Sequence, residues 1–464
     1  MEGTDPRRAA FKVLRRVERE GAYSTLLLQH LEETGRDRRD VALATELVYG
    51  VLRRRLYLDH VVSRFSKRPL EKIDADLLLT LRLALYQILF LDRIPLHAAV
   101  NEAVEMARGE GGGRGEAAAS FANGLLRAVA RDPSSRSSAQ KKTVLPGVDL
   151  GDPVAELATA ESHPEWLVRR WAARLGIEEA ALLLAAQNRP APMALRVNRA
   201  RETPAQVTEA LAEESVIACS SSRQESFLLV TSGAPQRTAS FTRGEFYIQD
   251  EASGLVACMM GAAPGDKVLD ACAAPGGKAL AMAQTAGRAG MVVAMDRHPG
   301  RLRLLNDNAR RLGLSGCLPV AADASADELP LRAAEVFDAV LVDAPCSGTG
   351  VIRRNPELRY RVSPRDIERL ADLQSRLLQR CAGRVRPGGA LVYSVCSLEP
   401  EEGEEGVAAF LEGDPRFVLE DPRPMLPESA RDLVRSTKLG PCLITWPHLD
   451  DLDGFFAARM KRQR

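Results

Sequence analysis

Two cysteines stand directly after apolar segments that are typical of buried β-strands. Cys346 lies in Asp343-Ala-Pro-Cys-Ser-Gly-Thr-Gly350, and Cys396 lies in Val392-Tyr-Ser-Val-Cys-Ser397. Either thiol alone would more often be a buried structural cysteine. Two thiols at strand ends, one of them close to Asp343, favour nucleophilic catalysis instead.

Such thiols would suit methylation of carbon 5 of cytosine. A thiolate that adds to carbon 6 makes carbon 5 enamine-like, and therefore nucleophilic towards a methyl sulfonium. An acid such as Asp343 near ring N3 would stabilise the adduct, and a base would then remove the carbon 5 proton so that the thiolate leaves. Amino-group methylation needs no thiol, and its usual Asn/Asp-Pro-Pro-aromatic motif is absent from the sequence. These residues alone do not decide which cysteine attacks.

A small-residue turn, Val268-Leu-Asp-Ala-Cys-Ala-Ala-Pro-Gly-Gly-Lys278, precedes the cysteines. Its apolar strand leads into a helix that we expect to begin near Lys278. Gly276 and Gly277 permit positive φ and close approach of a ligand, and amides at a helix start bind polar groups. The motif is neither a Gly-x-Gly-x-x-Gly fingerprint nor a phosphate loop, and a plain strand-to-helix turn is the competing interpretation.

Acidic residues end successive predicted strands after this turn. Asp296, 20 residues after Gly276, could accept both ribose hydroxyls of a nucleoside cofactor, and Asp323 could meet the adenine. A single aspartate at a strand end is more often a helix cap or turn former. Three of them, with Asp343 as the third, favour a ligand beyond the carboxyl ends of the strands.

The elements that would position these residues alternate between strands and helices from about residue 245. This pattern predicts a Rossmann-like α/β domain over 241–464, with a mostly parallel seven-stranded sheet and a terminal antiparallel hairpin. The predicted strands are Lys267–Ala271, Met291–Asp296, Leu318–Ala322, Ala339–Asp343, Ala390–Ser394, Phe417–Glu420, Cys442–Trp446 and Phe455–Met460.

The preceding residues predict two further domains. Residues 5–131 show helical periodicity without strand alternation, which indicates an all-α bundle with a flexible glycine-rich stretch at 109–115. The bundle helices are expected at Arg8–Glu18, Asp40–Arg53, Asp74–Leu91, Asn101–Arg108 and Ala117–Ala130. Residues 132–152 are rich in Ser, Pro, Gly and Lys and predict a linker. Residues 153–240 predict a small α+β domain that binds RNA or connects the other two.

Composition gives weaker constraints. The 464 residues are 45% hydrophobic and 27% charged with a net charge of +1, as expected of a soluble, cytoplasmic protein and not of an obvious polyanion binder. No apolar run approaches the roughly 20 residues that span a bilayer, and we expect no membrane association. Eight cysteines without a Cys-x-x-Cys pair and six scattered histidines predict reduced thiols and no metal site.

Together the motifs resemble the RNA cytosine-5 methyltransferase family. The resemblance includes Arg354-Asn-Pro-Glu357 after the first cysteine motif, Leu398-Glu-Pro-Glu-Glu402 after the second, and Gly244-Glu-Phe-Tyr-Ile-Gln-Asp-Glu-Ala-Ser253. The N-terminal helices look like a NusB-type RNA-binding domain. That pairing is similar to the RsmB (Sun) group, whose substrate is the small-subunit (16S) ribosomal RNA of bacteria.

The resemblance implies roles for individual residues. Cys396 would be the nucleophile and Cys346 would assist product release, with Asp343 and Lys278 as further catalytic residues. The residues implied to bind S-adenosylmethionine are Cys272, Ala273, Ala274, Pro275, Gly276, Gly277, Lys278, Asp296, Asp323 and Asp343. The implied partner is ribosomal RNA, and the protein would be a monomer without a metal.

The sequence departs from the family pattern at two positions. Val395 replaces the usual threonine before the nucleophile, which removes a hydroxyl beside the thiol and could alter its activation; Ala279 replaces the threonine after Lys278. These departures are the only points in favour of a competing hypothesis, a non-enzymatic RNA-binding or transcription-related protein with a relic methyltransferase domain. The presence of both cysteines and of the three strand-end aspartates counts against it. A DNA cytosine methyltransferase is a third interpretation, but its nucleophile would lie in the Pro-Cys motif and leave Cys396 unexplained.

Overall fold

The computed structural model describes residues 5–33, 37–109, 115–132, 148, 150–331 and 336–464. They form two compact units. The first comprises Met1–Arg189 together with Arg354–Arg361, and the second comprises Pro190–Arg353 together with Val362–Arg464. Within the described ranges, none of the helices combines the length and apolar composition needed to cross a bilayer.

The first unit is helical. Its helices are α1 (Pro6–Arg19), α2 (Ser24–Glu33), α3 (Arg38–Phe65), α4 (Ala75–Phe90), α5 (Leu96–Gly109), α6 (Gly115–Arg131), α7 (Pro153–Ala160), α8 (Glu165–Leu175) and α9 (Ile177–Gln187). Asp5, Asp37 and Asp74 cap α1, α3 and α4 by accepting hydrogen bonds from backbone amides of the first turn. One apolar cluster from α1 to α6 forms the core.

Several helices differ from the prediction: α5 begins five residues before the expected Asn101, and α7 was not predicted. Helix α2 was not predicted, and α3 continues to Phe65 beyond the expected end at Arg53. The charged run Arg53-Arg-Arg55 interrupts the apolar periodicity there. The helix nevertheless continues because Leu58, Val61 and Val62 resume the buried face, while Arg54 pairs with Glu161 at 3.1 Å.

Helices α7–α9 pack with the helical unit, which extends to Arg189. The side-chain oxygen of Ser162 accepts a hydrogen bond from the backbone amide of Tyr57 at 3.0 Å, and Trp171 is fully buried. The linker predicted at 132–152 and the glycine-rich stretch at 109–115 fall largely outside the described residues.

The segment Arg354–Arg361 returns to the helical unit and carries the short helix α15 (Leu358–Arg361). Glu357 accepts hydrogen bonds from the backbone amide (2.8 Å) and the hydroxyl of Ser24, the first residue of α2. The guanidinium of Arg359 donates to the Asn188 side chain at 2.9 Å. The Tyr360 hydroxyl donates to the carbonyl of Leu52 at 2.9 Å. These contacts satisfy polar groups of the unit at residues far apart in sequence.

The second unit begins with a small antiparallel sheet, in the order β2-β3-β1-β4. Its elements are β1 (Met193–Val197), α10 (Pro204–Glu213), β2 (Ile217–Ser220), β3 (Phe227–Ser232), α11 (Ala239–Thr242) and β4 (Phe246–Ile248). Thr203 and Gln206 form a capping box at the start of α10. This sheet accounts for the α+β composition predicted for the region.

A larger sheet carries the rest of the unit, in the order β11-β12-β13-β9-β8-β5-β6-β7, with β10 paired to β13. Its strands are β5 (Lys267–Asp270), β6 (Met291–Asp296), β7 (Cys317–Ala321), β8 (Phe337–Asp343), β9 (Val385–Val395), β10 (Phe417–Glu420), β11 (Val434–Ser436), β12 (Pro441–Thr445) and β13 (Phe455–Arg462). The helices that accompany it are α12 (Glu251–Met259), α13 (Gly277–Ala286), α14 (Pro299–Leu312), α16 (Pro364–Ala382) and α17 (Glu404–Gly413).

Five neighbouring strands of this sheet, in the order β9-β8-β5-β6-β7, are parallel to one another. The strands that follow β9 in the sequence pair antiparallel, including the expected terminal hairpin of β12 and β13. The sheet has nine strands among the described residues, whereas a seven-stranded sheet was predicted. Strand β10 has its predicted bounds, and the short strand β11 was not predicted. Two apolar clusters cover the two faces. The carboxyl ends of β5, β6, β8 and β9 therefore meet at one edge, where the predicted chemical residues stand.

Candidate active site

The two cysteines predicted to act together lie side by side. Strands β8 and β9 are parallel neighbours with Asp343 opposite Ser394, so the loops that follow them leave the sheet together. The Sγ atoms of Cys346 and Cys396 are 3.4 Å apart, and both residues are partly exposed. A substrate atom could therefore approach both thiols from the open side of the sheet edge.

Asp343 holds a central position beside the thiols. One carboxylate oxygen accepts a hydrogen bond from Lys278 Nζ at 2.7 Å, and the other accepts one from Ser394 Oγ at 2.7 Å. Burial disfavours the charge of Lys278, but the charge of Asp343 and the hydrogen bond to it outweigh this effect and raise the pKa of Lys278. Lys278 therefore stays an ammonium at neutral pH.

The environment of Cys346 disfavours its thiolate form. The hydrogen bond with Cys396 and then burial raise the pKa of Cys346 well above its ordinary value. Cys346 is therefore a neutral thiol at neutral pH, able to donate a weak hydrogen bond to the Cys396 sulfur 3.4 Å away. A thiolate is the reactive form of cysteine, so Cys346 is poorly suited to attack first.

The cofactor turn adopts the conformation that its glycines permit. Gly276 has a φ of +115°, and a Cβ there would lie 2.9 Å from Leu305 Cγ, so any other residue would be strained and crowded. Helix α13 begins at Gly277, one residue before the expected start. The residues 272–278 thus run from the end of β5 to a helix N-terminus at the sheet edge.

Asp296 ends β6 beside this turn and is buried. Its oxygens accept hydrogen bonds from the backbone amides of Ala274 (3.2 Å) and His298 (2.8 Å). Each oxygen retains acceptor capacity for a hydroxyl, which fits a ribose. Asp323, beyond β7, is exposed and accepts hydrogen bonds from the amide and hydroxyl of Ser325, which lower its pKa. A turn-forming role therefore accompanies any role of Asp323 towards a nucleobase.

Asp270 is a buried acid at the site that the sequence reasoning did not single out. It ends β5, and burial, followed by the charge of Asp343, raises its pKa to about 7. Its Oδ1 accepts a weak hydrogen bond from the amide of Cys272 at 3.3 Å, whereas Oδ2 has no partner among the described residues. A signal was present, because an acid inside the apolar run Val268-Leu-Asp-Ala271 is unusual for a buried strand.

Salt bridges join Arg353, seven residues after Cys346, to two aspartates near the start of β13. The side chain of Arg353, 2% exposed, donates to Asp453 at 2.8 Å and to Asp451 at 2.9 Å. In the part of the chain that the structure describes, no group of three or more His, Cys, Asp or Glu side chains is arranged to hold a metal ion.

Comparison with known proteins assigns this arrangement to a family. The model of the 16S rRNA methyltransferase RsmB/F matches residues 257–461, that of the NusB family matches 4–131, and that of the ferredoxin-like domain of RsmF/B-like methyltransferases matches 163–235. A probable ribosomal RNA small subunit methyltransferase B of Bacillus subtilis is 36% identical, with 100% of both chains covered. The chain belongs to the RsmB family of methyltransferases. A further member, the ribosomal RNA small subunit methyltransferase B of Pseudomonas putida, is 34% identical over 98% of each chain.

Solved structures agree with the fold. The crystal structure of PH0851 matches with a TM-score of 0.81 at 25% identity, covering 99% of this chain and 98% of that one. A methyltransferase homolog from Pyrococcus horikoshii matches with a TM-score of 0.56 at 26% identity, covering 67% of this chain and 98% of that one. The predicted NusB-like bundle, small α+β domain and Rossmann-like domain are thereby confirmed. The ferredoxin-like match spans both sides of Arg189, so the exact domain boundary near 153 stays a prediction.

Membership of a methyltransferase family makes S-adenosylmethionine the cofactor of the RsmB-type chain. The residues at this sheet edge are compatible with S-adenosylmethionine, because they offer backbone donors and carboxylate acceptors. They are the turn 272–278, the acceptor Asp296, and the pair of Lys278 with Asp343. The individual contacts predicted for these residues stay predictions.

Proposed function

We propose that the protein methylates carbon 5 of a cytosine in small-subunit ribosomal RNA through a covalent adduct with Cys396. The observation that carries the proposal is the pair of thiols 3.4 Å apart, next to the ion pair of Lys278 and Asp343. The names of the relatives in Bacillus subtilis and Pseudomonas putida support ribosomal RNA as the substrate. A methyl transfer to an amino group would need neither thiol.

In this mechanism the Cys396 thiolate attacks carbon 6 of the ring. The new carbon–sulfur bond displaces the double-bond electrons towards carbon 5, which becomes nucleophilic. S-adenosylmethionine supplies the electrophilic methyl group that carbon 5 receives. Asp343, held by Lys278 and Ser394, is suited to stabilise the adduct at ring N3 by sharing a proton there.

Release requires loss of the carbon 5 proton. The electron pair of that bond then re-forms the ring double bond and expels the Cys396 thiolate. The Sγ of Cys346 lies 3.4 Å from that of the nucleophile. We propose that the Cys346 thiol first gives up its own proton to water, and that the thiolate so formed takes the carbon 5 proton and becomes a neutral thiol again. Its raised pKa supports the assignment, because a thiolate formed there would hold a proton strongly.

The two cysteines should give opposite mutant behaviour. Cys396→Ala should abolish methylation and form no covalent complex, because the attacking atom is gone. Cys346→Ala should accumulate a denaturant-resistant adduct of protein and RNA when S-adenosylmethionine is present, because release is blocked. The measurement is denaturing gel electrophoresis with labelled small-subunit ribosomal RNA, alongside incorporation of labelled methyl groups.

The exposed Cys219 provides a matched control, since Cys219→Ala removes a thiol on β2, in the small antiparallel sheet. Adduct with Cys396→Ala but not with Cys346→Ala would reverse the assignment and favour the arrangement of DNA enzymes. Methylation retained by both variants would eliminate the covalent mechanism and leave another methyl-transfer chemistry. Absence of methylation by the unchanged protein would instead favour the relic-domain hypothesis. Bisulfite mapping of ribosomal RNA from cells with and without the protein would identify the cytosine.

A further inference from the structure

A buried carboxylate lies behind both cysteine loops. Glu402 ends the short turn Pro400–Glu402 and has no exposed surface. Its oxygens accept hydrogen bonds from the backbone amide of Ser347 (2.8 Å), the hydroxyls of Ser347 and Ser397 (the latter at 2.5 Å), and the side-chain amide of Gln374 (3.2 Å). Four donors that converge on one carboxylate make it a strong organising centre.

The donors to Glu402 come from the residues next to the thiols. Ser347 directly follows Cys346, and Ser397 directly follows Cys396. The two serine hydroxyls are also 3.1 Å from each other. One carboxylate therefore connects two loops that leave different strands, β8 and β9, and fixes the backbone on which each sulfur stands.

Further hydrogen bonds make this connection stiff. The Glu402 carbonyl accepts a hydrogen bond from the buried hydroxyl of Tyr393 at 2.5 Å. The amide of Gly350 donates to the Cys396 carbonyl at 3.1 Å. Burial raises the pKa of Glu402, while the donors from Ser347, Ser397 and Gln374 oppose that shift. The two loops that Glu402 connects thus supply the hydrogen bonds that favour its charged form.

We propose that Glu402 is a positioning residue that sets the distance between the two reacting thiols. The inference rests on the proposed function, in which one thiol adds to carbon 6 and the other acts at the neighbouring carbon 5. Both sulfurs must then meet adjacent ring atoms, and the 3.4 Å separation meets that demand only while both loops are held. Glu402 contacts neither sulfur through a hydrogen bond of its own and acts through Ser347 and Ser397.

Glu402→Gln tests the proposal because it preserves shape and replaces one carboxylate oxygen, an acceptor, with an amide nitrogen that donates. The glutamine amide group would face hydroxyls and an amide that donate, so at least one donor would lose its acceptor. Misplacement of a reacting group by about 1 Å costs on the order of 100-fold in rate, so we expect kcat to fall roughly 10- to 100-fold. KM for RNA and for S-adenosylmethionine should stay within about twofold, because no substrate-binding group is changed.

The fall in kcat expected for Glu402→Gln should require the serine hydroxyls that donate to Glu402. Ser397→Ala should lower kcat in the otherwise unchanged enzyme, yet add little in the Glu402→Gln background, because both changes break one network. Trapping of the adduct by Cys346→Ala should also be slower when Glu402→Gln is combined with it. A role in folding alone would lower the amount of folded protein without this coupling. Glu405→Gln, an exposed position on α17, is the matched control.

Two results would overturn the inference. The first is a kcat of Glu402→Gln equal to that of Glu405→Gln. The second is a kcat of the double variant Glu402→Gln/Ser397→Ala that is lowered by the product of the two factors measured for the single variants. If Glu402→Gln does not fold, the double variant Ser347→Ala/Ser397→Ala removes the donors instead and should show the same loss of kcat at unchanged KM. Methylation by Cys396→Ala in the same assay would contradict the proposed function itself, whereas an inactive Cys396→Ala with a fully active Glu402→Gln would contradict only the positioning role.

Discussion

Asp270 offers a test of the electrostatics at the sheet edge. Its carboxyl is buried at the end of β5, and burial together with the charge of Asp343 raises its pKa to about 7. In an unfolded chain an aspartate titrates near about 3.9. The folded protein thus keeps the Asp270 proton over a range in which the unfolded chain has lost it, and this contribution to stability declines as pH rises from about 4 to about 7.

The magnitude follows from the two pKa values. About three units correspond to a penalty of about 4 kcal/mol above pH 7, compared with about 1.5 kcal/mol at pH 5. Asp270→Asn removes the penalty at every pH but places an amide where Oδ2 now has no partner among the described residues, a cost of about 1–3 kcal/mol. That cost does not depend on pH. The substitution should therefore be more stabilising at pH 8.5 than at pH 5 by about 2.5 kcal/mol.

Thermal unfolding of the full-length chain without cofactor measures this difference. For a unit of this size, 1 kcal/mol shifts Tm by roughly 2–4 °C, so the change in ΔTm between the two pH values should be about 5–10 °C. Asp307→Asn, an exposed change on α14, is the control and should show no such pH dependence. A substitution effect of equal size at both pH values would refute the reasoning, because it would mean that Asp270 is already ionised in the folded protein at pH 5.

Three further predictions address the cofactor, the Cys346 loop and the helical unit. Asp296→Ala should weaken S-adenosylmethionine binding by about 1.5–3 kcal/mol, roughly 10- to 150-fold, in calorimetry, and unchanged affinity would mean that the ribose binds elsewhere. Arg353→Met should lower the free energy of unfolding by about 3–5 kcal/mol in denaturant titration, because the buried Asp453 loses its cation. The exposed control Arg416→Met should lower it by less than about 1 kcal/mol. Equal losses in the two variants would contradict this account. A chain that starts at residue 145 should bind ribosomal RNA more weakly in filter binding and with a shallower salt dependence, since fewer phosphates are neutralised, whereas an unchanged affinity and slope would argue against RNA docking by the bundle.

The strand ends could be predicted because each is determined by residues that are adjacent in the sequence. Strand β6 has the predicted bounds Met291–Asp296, and β5 and β8 differ from prediction by at most two residues at either end. An apolar run that stops at an acid or a Pro-Cys pair marks both the strand and the sheet edge. The position of Asp296, Asp343 and the two cysteines at one edge follows from parallel strands without further information.

Other features depend on contacts between distant parts of the sequence. Nothing near Ser24 indicates that Glu357, far along the chain, would accept its amide hydrogen bond. The role of Glu402 was equally hidden, because the residue-by-residue interpretation assigned chemistry to the cysteines and none to the serines after them. A repeated Cys-Ser at both strand ends was the available signal. Its meaning required the 3.1 Å approach of the two hydroxyls.

The departures from the family pattern do not reach the thiols. Val395 is fully buried in the apolar cluster that also contains Leu391 and Tyr393, because alternate residues of β9 face the same side. Ser394, on the other side, carries the hydroxyl that reaches Asp343. A hydroxyl at position 395 would therefore enter the core, where burial without a partner costs about 1–3 kcal/mol. Ala279 is likewise fully buried, in α13. Both replacements thus act on packing, and the hydrogen bonds that hold Asp343 are made without either threonine.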